Sequence, residues 1–248
     1  MCITNALVTC VIPTKNRHDK LRLAIDSVLN QSYENVEVIV VDDGSDEKVE
    51  NHYDSRRVTI INNKFSVGGA AARNLGIKSA KGDFICFLDD DDEYLPTKIE
   101  VMLKEFDKST DAVVAECLLL SDGEVAFNPQ TTFSGKNNFV KNKIHNNATL
   151  VRAKVFDNLS FNESLEKFQD TQFNADLCYL YKVKYIPIAV ANWNLSWSTN
   201  QITTVRYRFR DFTNYFRLIK HFLFNTRAPI WLMYNHVAIL LYFLIKRR

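Results

Sequence analysis

The sequence has only seven glycines in 248 residues, and none of them lies in a standard phosphate-binding loop. The first apolar run leads into Pro13–Arg17, which contains no glycine. Gly68-Gly69-Ala70 lacks the G-x-G-x-x-G spacing, and the pattern G-x-x-x-x-G-K-S/T does not occur. These absences exclude the dinucleotide-binding fingerprint and the P-loop as nucleotide-binding devices of this chain.

Cysteine is also scarce, and no two cysteines have the spacing of a zinc-binding pair. The five residues are an odd number, far apart, and mostly in apolar surroundings: Cys2, Cys10, Cys86, Cys117 and Cys178. We therefore expect buried, reduced thiols in a cytosolic protein. The N-terminus lacks a basic n-region, and its apolar run ends at Pro13, which indicates a first strand and not a signal peptide.

The chain has little net charge, +2 at pH 7, which argues against a dedicated nucleic-acid-binding protein. The charge is unevenly distributed, because residues 201–248 contain nine lysines and arginines but a single acidic residue, Asp211. This stretch carries +8, so the remaining residues carry −6. An acidic body with a basic tail predicts that the tail faces an anionic partner.

The sequence has no apolar run that is long enough to span a bilayer. The longest candidate, Trp231–Ile245, is interrupted by Asn235 and His236 and is followed by Lys246–Arg248. Residues 206–248 also contain eleven of the thirty aromatic residues, so we expect a helical extension that lies in an anionic membrane surface. The alternatives are an amphipathic helix that packs on the rest of the chain, or one that packs on a second copy in a homo-oligomer.

Apolar, β-branched runs alternate with helical patterns along the first half of the chain. The expected strands are Leu7–Ile12, Val36–Val41, Val58–Ile61, Phe84–Leu88 and Ala112–Leu120, and a later one lies near Tyr185–Ala191. The expected helices include one that begins near Asp19 as a cap, and others at Ala70–Ser79, Lys98–Asp107 and about Leu165–Tyr181. This order predicts an α/β protein with a mainly parallel sheet. Residues 121–147 are polar and receive no assigned structure.

Polar residues follow three of the expected strands, where ligands bind in such sheets. They are Pro13–Arg17 after the first strand, Asp42–Ser45 after the second and Asp89–Asp92 after the fourth. Asp42 and Asp43 suit either a turn or a nucleotide contact. Gly69 starts a helix whose amides could face an anion, and Arg73 is either a nearby cation or an ordinary surface arginine.

The acidic run Asp89–Asp92 has three interpretations: a solvated helix start, a calcium loop, or a metal site. A calcium loop fails, because Tyr94 occupies the position that requires glycine. If the run is extended, Asp89 and Asp91 point the same way and offer oxygen ligands to Mg²⁺ or Mn²⁺. Asp92 is then expected to cap the helix that begins near Pro96.

These pieces together resemble the family-2 glycosyltransferases with a GT-A fold. The matching segments are VTCVIPTKNR, VEVIVVDDGS, GGAAARNLGIKSAKGDFICFLDDDD and FNESLEKFQDTQF, within residues 7 to about 200. The resemblance implies a Rossmann-like central sheet flanked by helices. We expect a catalytic domain over residues 1–205, with a donor half at 1–120 and an acceptor half at 121–205, followed by the basic aromatic stretch as a C-terminal helical extension at 206–248.

The resemblance assigns roles to residues. Asp89-Asp90-Asp91 resembles the DXD element that holds a divalent metal on the donor diphosphate, with Asp91 and Asp89 as ligands. The residues expected around the donor nucleotide are Pro13, Thr14, Asn16, Arg17, Asp42, Asp43, Gly69, Arg73, Asp89 and Asp90. Asp170 matches the aspartate that acts as base, and Gln169 stands where the family usually has glutamate. Gln169 and Trp193 are the expected acceptor contacts, although Asn192–Ser198 lacks the basic or histidine residue that members often have there.

The implied activity is the inverting, metal-dependent transfer of a hexose or N-acetylhexosamine from a UDP-sugar to a glycan hydroxyl. The basic tail adds the expectation of a polyprenyl-pyrophosphate-linked acceptor, and of a peripheral enzyme on the cytoplasmic face of a bacterial inner membrane that makes cell-surface polysaccharide. The alternatives are a nucleotidyltransferase, whose glycine-rich loop is missing here, and a binding module without catalysis, which hydrolysis of a UDP-sugar would exclude.

Overall fold

The computed structural model describes residues 5–121, 124–127 and 144–195, together with the helical residues 213, 214, 217, 218, 220 and 221. The strands are β1 (Val8–Thr14), β2 (Val36–Asp42), β3 (Val58–Asn62), β4 (Phe84–Phe87), β5 (Glu93–Tyr94), β6 (Ala112–Ser121), β7 (Glu124–Phe127), β8 (Thr149–Arg152) and β9 (Val183–Leu195). The helices are α1 (His18–Leu29), α2 (Gly69–Ser79), α3 (Lys98–Leu103) and α4 (Gln169–Leu180), with short 3₁₀ turns at Asn146–Ala148 and Ala153–Asp157.

All nine strands join one sheet in the order β3-β2-β1-β4-β8-β6-β9-β5, and β7 pairs with β6. The first four strands in this order are parallel to one another, as are β6 and β9. The short strand β8 runs antiparallel between β4 and β6. The sheet is therefore parallel over β3, β2, β1 and β4 and mixed over the remaining strands.

Helices cover both faces of the sheet, which explains why the central strands show little polar alternation. Cys10 and Ile12 on one face of β1 belong to a core that also contains buried residues of α1 and α3. Val11 on the opposite face packs in a second core with α2 and α4. Helix α1 buries Leu21, Ala24, Ile25 and Val28, whose spacing forms one apolar stripe.

The predicted α/β class and the six predicted strands are confirmed, with ends that differ by up to four residues. The sequence did not predict β5, β7 or β8, which are only two to four residues long and carry too few residues for a recognisable pattern. Asp19 does not cap α1, because the chain enters that helix at Arg17 and Asp19 lies inside the first turn.

Four of the five cysteines lie in the described part of the chain, and all four are buried and free, as predicted. Cys2, the boundary at residue 205 and the apolar stretch Trp231–Ile245 fall outside the described residues. Within the described ranges, none of the helices combines the length and the apolar character that crossing a bilayer requires.

Candidate active site

The loops after β1 and β2 are connected to each other by hydrogen bonds. Asn16 adopts a left-handed backbone with φ of 56°. Its backbone N–H donates to Oγ of Ser45 at 2.8 Å, and its side-chain amide donates to Asp46 at 3.1 Å and accepts from the Asp46 N–H at 2.8 Å. Asparagine tolerates this conformation better than most residues, and its side chain then ties the two loops together.

Asp42 and Asp43 are both nearly buried at the end of β2, but they have different partners. Asp42 accepts from the backbone N–H and the hydroxyl of Ser45, at 3.0 Å and 2.5 Å, which is a turn-forming arrangement. Asp43 accepts from the N–H groups of Val67 and Gly68 at 2.7 Å and 2.9 Å, and so it orders the loop that leads into α2.

The acidic run after β4 forms a turn, so the extended conformation that would point Asp89 and Asp91 the same way is not adopted. The N–H of Asp92 donates to the carbonyl of Asp89 at 3.1 Å, which closes the turn. Asp89 and Asp91 consequently have different ion-pair partners: Asp89 pairs with Arg73, and Asp91 pairs with Arg17. The turn distributes its four carboxylates over Arg73, Arg17 and Asn147, which reduces the repulsion between them.

Arg17 holds the middle of this turn. Its Nη1 lies 2.8 Å from Asp90 and 3.1 Å from Asp91. Asp90 also accepts from the Thr14 hydroxyl at 2.7 Å. Burial raises the pKa of Asp90, and the Arg17 charge and the Thr14 hydrogen bond oppose part of that effect. Burial tends to lower the pKa of Arg17, but the charges of Asp90 and Asp91 outweigh it and the pKa is raised. Thr14 and Arg17 therefore connect the end of β1 to the acidic turn.

Arg73 is not a surface arginine, because only 13% of its side chain is exposed. Its Nη2 donates to Asp89 at 2.5 Å, and its guanidinium lies 5.6 Å from the centre of the Phe161 ring. Burial favours a higher pKa for Asp89, yet the charges of Arg73, His145 and Arg17 outweigh it and the pKa is lowered. Among the described residues, Nε of Arg73 is buried and has no hydrogen-bond partner. Such a donor is costly unless a ligand satisfies it.

Asp92 does not cap a helix, which corrects the expectation from the sequence. It is 2% exposed and accepts from the side chain of Asn147 at 2.6 Å and from the backbone N–H of Asn194 at 2.7 Å. The next helix, α3, begins six residues later at Lys98, beyond the reach of a cap. Burial, followed by the charge of Asp89, raises the pKa of Asp92 well above its usual value.

Asn147 makes several hydrogen bonds around the acidic turn, and the sequence analysis did not identify it. Its side chain donates to Asp92 and accepts from the backbone N–H of Asp89 at 3.0 Å. Its own backbone N–H donates to Nδ1 of His145 at 3.3 Å, and its carbonyl accepts from the buried Lys98 at 2.7 Å. It lies between the undescribed residues 128–143 and the short strand β8, where no local pattern marks it. One fully buried residue thus makes hydrogen bonds to four residues in and around the acidic turn.

Asp89, Asp92 and His145 form a group of possible metal ligands whose ligand atoms all lie within 4.8 Å of one another. Carboxylate oxygens with one imidazole nitrogen suit Mn²⁺, and oxygen ligands suit Mg²⁺, so the donor set fits a divalent cation. Asp91, the ligand favoured from the sequence, lies outside this group and against Arg17. Asp89 belongs both to this group and to the pair that the sequence predicts.

Helix α4 brings Gln169 and Asp170 to the same edge of the molecule. A methyl group on Gly69 would lie 3.1 Å from Nη1 of Arg73 and 3.3 Å from Oε1 of Gln169, so the starts of α2 and α4 adjoin. Gln169 donates to the carbonyl of Leu165 at 2.8 Å. Asp170 follows it in the first turn of α4 and is exposed to solvent.

Trp193 lies on β9, and its ring centre is 4.9 Å from that of His145. The neighbouring Asn194 donates from its side chain to the carbonyl of Asp91 at 2.9 Å, in addition to its contact with Asp92. The stretch Asn192–Leu195 therefore lies against the acidic turn. The sequence pointed to this stretch only through the family resemblance, because members of the resembled family often have a basic or histidine residue here.

Comparisons with known proteins find one matching family and several similar glycosyltransferases. The family model described as "Glycosyl transferase family 2" matches residues 9–231. The putative colanic acid biosynthesis glycosyl transferase WcaA of Escherichia coli K12 is 31% identical over 179 residues, which are 67% of this chain and 64% of that protein. The Escherichia coli enzyme named UDP-Glc:alpha-D-GlcNAc-diphosphoundecaprenol beta-1,3-glucosyltransferase WfaP is 38% identical over 96 residues, 38% of each chain. A third relative, an uncharacterized glycosyltransferase of Haemophilus influenzae, is matched over 42% of its own length.

Solved structures show the same fold at low sequence identity. The crystal structure of S. aureus TarS 1-349 in complex with UDP-GlcNAc has a TM-score of 0.72 at 16% identity, over 90% of this chain and 68% of that one. The mannosyltransferase PcManGT from Pyrobaculum calidifontis, in complex with GDP-Man and Mn²⁺, has a TM-score of 0.58 at 17% identity, over 94% of this chain and 74% of that one. These likenesses support the predicted GT-A fold.

Proposed function

The chain belongs to glycosyl transferase family 2, and on that premise we propose that it transfers a hexose or N-acetylhexosamine from a UDP-sugar to a hydroxyl of a glycan acceptor. The observation that carries the proposal is the meeting of two helix starts at Gly69, with Arg73 and Asp89 on one side and Gln169 and Asp170 on the other. Sugar transfer needs a cationic group beside the donor diphosphate and a basic group beside the acceptor hydroxyl, and the two must lie close together.

The donor diphosphate binds between Arg17 and Arg73 in this proposal. Both arginines pair with carboxylates of the acidic turn, and the buried Nε of Arg73 lacks a partner among the described residues. A phosphate oxygen would satisfy that donor and take up the charge of the guanidinium. The N-terminal amides of α2, beginning at Gly69, offer further donors to an anion.

The nucleoside is expected to lie along the edge formed by the loops after β1 and β2. Pro13 and Thr14 end β1 and Asn16 follows them, whereas Asp42 ends β2 and Asp43 follows it. Each of the two aspartates already accepts hydrogen bonds within the protein. A hydrogen-bond donor on the base or the ribose of the nucleoside would therefore share a carboxylate oxygen that already accepts a hydrogen bond within the protein, or displace one of these bonds.

A divalent cation, Mn²⁺ or Mg²⁺, would be held by Asp89 and Asp91, the pair that the sequence predicts. The ligand atom of Asp89 also lies within 4.8 Å of ligand atoms of Asp92 and His145, which are the alternative partners of Asp89. When bound, it would neutralise negative charge on the leaving diphosphate. The mannosyltransferase PcManGT, whose structure contains Mn²⁺, supports this choice of ion for the shared fold.

Asp170 is the proposed general base. It is exposed at the start of α4, where an acceptor can approach it. As the acceptor oxygen forms its bond to the anomeric carbon, its proton passes to the Asp170 carboxylate. The bond from that carbon to the phosphate oxygen breaks, and UDP leaves with the electron pair. One displacement of this kind inverts the anomeric configuration.

The acceptor is proposed to be linked to polyprenyl pyrophosphate, with Gln169 and Trp193 as its contacts. The names of WfaP and WcaA support this, since they refer to a diphosphoundecaprenol acceptor and to colanic acid biosynthesis. We assign residues 1–205 to catalysis and residues 206–248 to a membrane-surface extension on the cytoplasmic face of a bacterial inner membrane. Family membership favours glycosyl transfer over nucleotidyl transfer.

A panel of UDP-sugars with Mn²⁺ and synthetic lipid-pyrophosphate acceptors, read by mass spectrometry, tests the proposal. We expect one donor to give a product with one added sugar. Asp170→Asn should lower turnover by about 10²- to 10⁴-fold, the usual contribution of a general base. The variant should remain folded, because Asp170 is exposed. A folded Asp170→Asn protein with wild-type turnover would contradict the assignment, and hydrolysis of a UDP-sugar would exclude a non-catalytic module.

A further inference from the structure

The described residues 213, 214, 217, 218, 220 and 221 are helical, are here called the C-terminal segment, and pack on the rest of the described protein. Leu218 is fully buried and Asn214 is 2% exposed, whereas Arg217 and Lys220 are exposed. Positions 214 and 218 are one helical turn apart and so share a face. One side of the segment is therefore packed, although the segment lies within the basic aromatic tail.

The C-terminal segment is hydrogen-bonded to the loop that leads into α4. The side-chain oxygen of Asn214 accepts from the backbone N–H of Glu166 at 3.0 Å. Nη1 of Arg217 donates to the carbonyl of Ser164 at 2.7 Å. Both contacts are made to the backbone of the loop, so they fix its path independently of its side chains.

The other end of this loop is held by α2. Asn74 donates to the carbonyl of Phe161 at 2.9 Å and accepts from its N–H at 3.0 Å. The loop is thus fixed at Phe161 by α2 and at Ser164 and Glu166 by the C-terminal segment. It continues through Phe168, whose backbone is left-handed with φ of 66°. A non-glycine residue keeps that conformation only where its surroundings hold it.

The path from the C-terminal segment to the proposed base is short. Asn214 holds Glu166, and the preceding residue, Leu165, accepts from the side chain of Gln169 at 2.8 Å. Gln169 is the first residue of α4, and Asp170 is the second.

A third anchor joins the C-terminal segment to α4 itself. Nε2 of His221 lies 2.7 Å from Asp176, and Gln172 donates to the same carboxylate oxygen at 2.6 Å. Asp176 is buried in α4, two turns after Asp170. Loop and helix are therefore both attached to the C-terminal segment.

We propose that Asn214 and Arg217 are positioning residues for sugar transfer: they hold the loop at 164–166 so that Asp170 faces the acceptor. The inference rests on the proposed function, because it assumes that Asp170 is the base. The donor is held by residues of the other half of the site, around Arg17 and Arg73. Loss of either positioning residue should thus affect turnover more than donor binding.

The test uses the full chain and compares three variants with the wild type. Asn214→Ala removes the acceptor for the Glu166 N–H, whereas Asn214→Asp retains an oxygen that can accept it. Lys220→Ala is the matched control, since Lys220 is exposed on the same segment. We expect Asn214→Ala to lower kcat about 10- to 100-fold, the size of effect that a misplaced reacting group produces. KM for the UDP-sugar should change little, Asn214→Asp should recover most of the turnover, and Lys220→Ala should match the wild type.

If Asn214→Ala does not fold, Arg217→Met tests the inference instead, because Arg217 is exposed and its replacement should leave the fold intact. That variant should also lower kcat without a matching change in donor KM. Wild-type kcat in a folded Asn214→Ala protein overturns the inference. The inference is also overturned if Asn214→Ala lowers kcat and donor binding equally and Asn214→Asp restores neither. That result would indicate a general structural role. A wild-type protein that transfers no sugar instead contradicts the proposed function itself.

Discussion

At the scale of single residues, the candidate site is an arrangement of charges that neutralise one another. The acidic turn is compensated by two arginines from different elements, Arg17 at the start of α1 and Arg73 in α2. Both arginines are also the cations that a diphosphate would recruit. Binding of a metal with a diphosphate can therefore exchange these ion pairs, because the carboxylates gain the metal when the guanidiniums gain phosphate.

The residues proposed to hold the metal can be distinguished by mutation. Asp92 uses both oxygens in protein hydrogen bonds and is buried, whereas Asp91 faces a partly exposed arginine. We therefore expect Asp89→Asn and Asp91→Asn to weaken Mn²⁺ binding in the presence of UDP by at least about tenfold. His145→Gln should have a smaller effect. Titration calorimetry of each variant measures this, with Glu50→Gln, an exposed acid remote in sequence, as the control.

An opposite order, with His145→Gln more harmful than Asp91→Asn, would assign the metal to Asp89, Asp92 and His145 and remove Asp91 from the ligand set. Unchanged Mn²⁺ affinity in Asp89→Asn would contradict both ligand sets.

At the scale of elements, the distance between α2 and the sheet decides where Arg73 lies. Gly76 faces β1, and a methyl group there would lie 2.3 Å from a methyl carbon of Val11. Ala72 on the same helix is buried against Ile39 and Val41 of β2. The small residues let α2 approach the strands closely, and that approach sets the position of Arg73 near Asp89.

Gly76→Ala should therefore destabilise the protein by about 1–3 kcal/mol, the usual cost of overpacking a core. The helix propensity of alanine opposes this by less than about 1 kcal/mol. Urea denaturation of the wild type, Gly76→Ala, Val11→Ala and the double variant measures the effect as a cycle. We expect Gly76→Ala to cost much less in the Val11→Ala background, because the clashing methyl groups are then absent. Equal costs in the two backgrounds would show that the close contact with Val11 is not the cause.

At the scale of the whole molecule, charge divides the chain into an acidic body and a basic tail. Residues 201–248 carry +8 and the remainder −6. The described C-terminal segment lies within this tail and is attached to α4 through His221 and Asp176. The segment thus connects the basic tail to the helix that carries the proposed base.

The tail can be tested in the intact protein by flotation with vesicles. We expect binding to vesicles that contain anionic lipid, weaker binding to zwitterionic vesicles, and loss of binding as the salt concentration rises toward about 1 M. Replacement of Lys246, Arg247 and Arg248 by glutamine should weaken the binding and leave turnover on a short soluble acceptor unchanged. Absence of any lipid binding, together with a dimer in light scattering, would instead favour the alternative in which the tail packs on a second copy.

Much of the parallel half of the fold follows from the sequence. The apolar runs of β1, β2 and β4 are continuous because both faces of these strands are covered, and this pattern is visible without coordinates. The antiparallel strand β8 was not predictable, because its four residues have neither length nor periodicity. Its position between β4 and β6 depends on pairing across distant parts of the chain.

The sequence by itself determined the family, the α/β class and the set of polar residues at the strand ends, since each depends on local order and spacing. Only the tertiary structure decided how the carboxylates of Asp89–Asp92 are divided between Arg17, Arg73 and Asn147. It also decided that Asn214 and Arg217 contact the loop before Asp170. The physical reason is that hydrogen bonds and ion pairs join residues far apart in the chain, and their geometry exists only after the sheet has brought the loops together.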